Sequence, residues 1–66
     1  MEQKYRQKMT RIIEELRNAG YDPHAQLNEF IRTRDDRYIT RQGNARKLIQ
    51  EVDWNWLRQY VNQMTP

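Results

Sequence analysis

The chain contains no cysteine, which removes disulfides, thiolate nucleophiles and thiolate-bound zinc from consideration by inventory alone. Serine is absent too, and a single histidine is present. Apolar residues nowhere run longer than two in succession, as at Ile12-Ile13 and Leu48-Ile49. The sequence therefore offers neither a membrane span nor the apolar centre of a secretory signal. Glycine and proline number two each, and no linker, repeat or low-complexity tract breaks the chain. Together these absences predict a cytoplasmic protein with no membrane insertion.

What is present is charge and a modest apolar fraction. Twelve Lys and Arg stand against nine Asp and Glu for a net charge of +3, and 36% of the 66 residues are hydrophobic. A domain of this length hides only about 60% of the surface its unfolded chain exposes. One domain, residues 1–66, is the expectation, and a core of this size leaves only about 3 to 5 kcal/mol of net stability. With disulfides and thiolate metal sites excluded, self-association is the remaining common remedy, so a homodimer is expected.

The apolar spacing is helical throughout. From Glu2 to Ala19, Tyr5, Met9, Ile12, Ile13 and Leu16 recur at steps of three and four, which at 100° per residue gathers them into one stripe. Gly20 follows where a left-handed C-terminal cap is wanted. Asp22-Pro23 reads as the next start, since Asp can accept from first-turn amides and Pro loses no hydrogen bond there. That second helix runs to about Thr33, with Leu27, Phe30 and Ile31 inward, and Arg32, Arg34, Asp35, Asp36 and Arg37 form a charged connector. A third helix starts at Thr40 or, with less cost from an internal glycine, at Asn44 after Gly43. Its stripe is Ala45, Leu48, Ile49 and Val52. Asp53 is placed to cap a last helix from Trp54 to about Met64, whose Trp54, Leu57, Val61 and Met64 share a face with Tyr60 beside them. The expected class is all-α, a compact cluster of four short helices whose stripes exceed what one copy can cover.

Gly20-Tyr21, Pro23 and Gln26, followed by Asp36, Tyr38-Ile39, Arg41, Asn44-Ala45-Arg46 and Ile49, resemble the signature of the IreB regulatory phosphoproteins, without a gap and within a similarity covering roughly residues 5 to 64. The resemblance implies a small helical, homodimeric, cytoplasmic bacterial protein that serves as substrate of a transmembrane Ser/Thr kinase and tunes the cell-envelope stress response. It also implies phosphoacceptor threonines on a segment before the first helix, and this sequence begins almost at that helix. Two positions depart from the family pattern: Thr40 stands where proline is usual, and the last helix carries Trp54, Asn55, Trp56, Arg58 and Gln59 where acidic residues are usual.

Individual residues weigh mostly toward structure. His24 lacks a second imidazole or thiolate to complete a metal site. Asp35 and Asp36 are neighbours in sequence but need not converge on one bond, as acid–base catalysis requires. Arg32, Arg34, Arg37, Arg41, Arg46 and Lys47 suit phosphate contacts, yet Asp35 and Asp36 lie among them and no recognition helix declares itself. Arg41, Asn44 and Arg46, next to a buried stripe, must find hydrogen-bond partners. They form either an internal network, with Asp36 as acceptor for a guanidinium, or a site for a partner or a phosphothreonine. Trp54 and Trp56 are about 200° apart around their helix, so Trp54 belongs to the core while Trp56, with Tyr60, divides between core and dimer contact. Thr10 and Thr65 read as surface residues.

No nucleophile–base pair, metal set or phosphate-cradling loop is present, so neither an enzyme nor a cofactor is expected. The leading reading is a regulator or adaptor acting by protein–protein contact, with itself and with a Ser/Thr kinase or another regulatory protein as partners. Its interface candidates are Trp56, Tyr60, Tyr38, Arg41 and Arg46. Gly20, Tyr21, Pro23, Gln26, Asp36, Asn44 and Ala45 are the structural motif. The alternative is a small basic DNA- or RNA-binding helical protein.

Overall fold

The computed structural model describes residues 2–41 and 43–64, with side chains from residue 4 onward. Among these residues there are four α-helices, α1 (Glu2–Asn18), α2 (Pro23–Thr33), α3 (Ala45–Gln50) and α4 (Trp54–Gln63), and a single 3-10 turn at Asp36–Tyr38. The expected helices are all found. The charged connector turns out to be partly ordered into that 3-10 turn, and of the two possible starts for α3 the later one is taken.

Each helix end has a local cause. Gly20, at φ +88°, closes α1 as its amide bonds the Arg17 carbonyl at 3.0 Å and the Tyr21 amide reaches back to Leu16 at 2.9 Å. This double closure is a Schellman motif, which glycine enters without a Cβ clash. The Asp22 carboxylate accepts from the His24 amide at 3.1 Å, with Pro23 opening α2. Asp53 caps α4 by accepting from the Trp56 amide at 2.9 Å. Asn44 occupies the cap position of α3 without a side-chain cap bond. α2 ends on Arg34 at φ 57°, a left-handed position filled by arginine instead of glycine.

The core gathers Met9, Ile12 and Leu16 from α1, Leu27 and Phe30 from α2, Ile39 from the connector, Ala45, Ile49 and Val52 from and just after α3, and Leu57 and Val61 from α4. α1 packs chiefly on α3, while α2 touches α1, α4 and the 3-10 turn. Ile13, Ile31, Leu48, Trp54 and Met64, placed inward by their spacing, are only half-buried and pack around this centre.

Around the buried centre, Tyr5, Trp56 and Tyr60 are among the hydrophobic side chains that stay partly exposed. The accessible surface is 4786 Å² for 8.2 kDa, close to the roughly 4500 Å² of an ordinary monomer of that mass. Tyr21, at 49%, is the one exposed large hydrophobic among the described residues. Some of the half-buried aromatics pack on other rings, Trp56 on Tyr5 and Tyr60, and Trp54 on Phe30.

Candidate functional site

Residues 35–40, between α2 and α3, form a short strap held from two sides. Gln26, on α2, donates through Nε2 to the Tyr38 carbonyl at 2.9 Å, and Arg46, on α3, donates through Nε to the Ile39 carbonyl at 2.8 Å. Two consecutive carbonyls with no helical partner are thereby satisfied by side chains from two different helices. Ile39 itself is fully buried and Thr40 is 7% exposed. The strap therefore hangs from the core at its C-terminal end and is tied at its carbonyls.

At its N-terminal end, Asp35 accepts from the Arg37 backbone amide at 2.9 Å and from the Arg37 guanidinium at 2.7 to 3.1 Å. The guanidinium bonds, then the amide, hold the Asp35 carboxyl below the usual carboxylate range, with a smaller contribution from Arg46. Asp35 thus takes the acceptor role expected of Asp36, because its extended backbone turns the side chain over the 3-10 turn while Asp36 lies inside that turn.

Behind the strap lies a cleft of about 330 Å³ lined by Ala19, Tyr21, Arg37, Ile39, Thr40, Arg41 and Arg46. Arg37 is committed to Asp35. Arg46 has spent its Nε on the strap, and neither it nor Arg41 has an ion-pair partner among the described residues. The expected pair Arg41 and Arg46 is therefore brought together. Tyr21, read only as part of a motif, joins them at the rim, as do Arg37, expected among the phosphate-suited arginines, and Thr40. Tyr38 is half-buried against the core and does not line the cleft.

The aromatic candidates sit elsewhere. Trp56 stacks on Tyr60 at 5.1 Å and 19°, and its other neighbour is Tyr5 of α1, tilted at 5.3 Å. All three rings are half-buried, and Arg6, Gln59 and Gln63 rim them. Tyr5 was not foreseen as part of this group, since nothing in local spacing brings α1 to α4. Trp54 meets Phe30 edge-on at 5.8 Å and lies beneath the Arg34 guanidinium at 4.5 Å. Along α1, at 1.5 Å per residue, Tyr5 and Ala19 stand about 20 Å apart, so ledge and cleft are separate places on the molecule.

The remaining candidates behave as structure. The Thr10 hydroxyl donates to the Arg6 carbonyl at 3.0 Å. The His24 ring is within 3.4 Å of the Asn28 side-chain amide. Among the described residues no group of three or more His, Asp or Glu is placed to hold a metal ion, and no helix is long and apolar enough to cross a membrane. Thr65 lies outside the described residues.

These features define a small all-helical protein with a tied strap and an arginine-lined cleft. The family model of the IreB regulatory phosphoproteins matches residues 1–63, and the chain belongs to that family. No solved structure matches the chain significantly.

Proposed function

We propose that this protein is a non-enzymatic regulator that works by contacting other protein chains, first a second copy of itself, downstream of a Ser/Thr kinase in a cytoplasmic response to cell-envelope stress. The single observation carrying this reading is the match to a family of regulatory phosphoproteins across nearly the whole chain. Two surface features support it. The Tyr5–Trp56–Tyr60 ledge is the kind of half-exposed aromatic group that anchors interfaces. The Arg41 and Arg46 guanidinium groups have no carboxylate partners among the described residues, and planar guanidinium forks recognise anionic groups on partners.

The contact proposed is a surface-to-surface one centred on a few rings. A tagged chain recovered from its native cytoplasm, with intact-mass measurement of everything bound, tests the reading. A second copy and a defined protein partner are expected. Recovery of nucleic acid alone, released by moderate salt, would favour the nucleic-acid alternative instead.

A further inference from the structure

Two basic clefts compete for a ligand. The larger, about 380 Å³ between α1 and α3, is lined by Lys4, Lys8, Arg11 and Leu48 among others, but Lys8 is paired with Glu51 at 3.1 Å and Arg11 with Glu15 at 3.6 Å. Its charge is largely answered. The cleft behind the strap is different, since only one of its three guanidinium groups, that of Arg37, has a carboxylate partner among the described residues.

We propose that the cleft formed by Arg41, Arg46 and the Tyr21 rim binds a phosphate monoester carried on a protein side chain. Naming a protein as the carrier rests on the regulatory reading above; the anion chemistry does not. Arg46 is pre-positioned, because its Nε bond to the Ile39 carbonyl leaves the Nη donors for a ligand and fixes the plane of the fork. A phosphate monoester carries about −1.5 to −2 charge near neutral pH, enough to answer both Arg41 and Arg46, whereas a carboxylate or phosphodiester brings a single charge. Its terminal oxygens accept paired N–H bonds from each guanidinium. The phenol of Tyr21, 49% exposed, adds a hydroxyl donor and a ring edge at the mouth. A volume of about 330 Å³ falls at the small end of ligand sites, which start near 300 Å³, and suits one phosphorylated side chain better than a nucleotide chain. Asp35 is close enough to feel the charge of Arg46, but its carboxylate is already occupied by Arg37.

The full chain, labelled for amide and arginine NMR, is titrated with O-phosphothreonine, a phosphothreonine peptide, inorganic phosphate and a short single-stranded oligonucleotide. Saturable shifts centred on Arg41, Arg46, Thr40 and Tyr21 are expected with the monoesters. The peptide should bind more tightly than inorganic phosphate if the source is protein-borne, and inorganic phosphate binding equally well would reassign the site to the free ion. Arg41→Ala, which removes no ion pair found among the described residues, should weaken the monoester about tenfold, the loss expected for one charge-assisted contact. Arg58→Ala, on the exposed side of α4, should change nothing. Shifts spread evenly over all basic residues, equal losses in both variants, or preferential binding of the oligonucleotide would each overturn the proposal. Because these readouts do not depend on oligomeric state, the site can fail while the regulator reading stands, and the reverse.

Discussion

Arg46 donates through Nε to the carbonyl of Ile39 at 2.8 Å, one residue beyond the Tyr38 carbonyl that Gln26 holds at 2.9 Å. This relationship separates two arginines that look alike in sequence: Arg46 is a tie in the fold, while Arg41 is exposed with no such bond among the described residues. Arg46→Ala should cost about 1 to 2 kcal/mol, as expected when a part-buried hydrogen bond from a charged donor is lost. Arg41→Ala should stay within about 0.5 kcal/mol of the parent. Urea unfolding of both variants checks the contrast, and equal losses would remove the distinction.

The two ties act on one strap, so they should not be independent. A double-mutant cycle on Gln26→Ala and Arg46→Ala is expected to give a coupling of at least about 0.5 kcal/mol, the range found for residues sharing a network. Strict additivity would mean that each carbonyl finds water as readily as its side-chain partner.

Arg34 holds a left-handed backbone, φ 57°, while its guanidinium covers Trp54 at 4.5 Å. A non-glycine residue pays roughly 1 to 2 kcal/mol there, and the cation–π contact returns about 0.5 to 1 kcal/mol at an exposed site. Arg34→Gly should therefore be neutral or slightly stabilising, and Arg34→Ala destabilising by about 0.5 to 1 kcal/mol. Thermal unfolding followed by tryptophan fluorescence distinguishes the two.

The Asp35–Arg37 pair predicts the sign of a pH effect. The folded Asp35 carboxyl lies below its ordinary value because Arg37 bonds its charged form, so its contribution is complete above the unfolded value of about 4. It is lost as pH falls through the lowered folded value. The difference in melting temperature between parent and Asp35→Asn should be constant near neutral pH and shrink below about pH 4. A difference that grows on acidification would contradict the pairing.

Most of the fold is legible in the residues themselves. Gly20, Asp22-Pro23 and Asp53 mark helix ends by chemistry that acts within a few residues, and the stripes of α1, α2 and α4 follow from a period of 3.6. What the sequence hides is what depends on packing between distant segments. No local pattern puts Tyr5 against Trp56, lays Arg34 over Trp54, or decides that Asp35 and not Asp36 takes the arginine. Stripe width counts residues, whereas Trp56 and Tyr60 cover each other by stacking at 5.1 Å, which no count of residues per turn reveals. Of the site, Arg41 and Arg46 were legible as a polar pair beside a buried stripe, but the cleft that joins them to Tyr21 exists only once the strap is tied back.

The proposed association through the aromatic ledge is tested by sedimentation velocity from about 1 to 100 μM, across the micromolar range where moderate affinities lie. A homodimer is expected whose dissociation moves to at least about tenfold higher concentration in Trp56→Ala, as loss of an interface anchor worth more than 1 kcal/mol requires, with helical content unchanged. A parent chain that sediments as a monomer throughout, or a dimer indifferent to loss of Trp56, would contradict it.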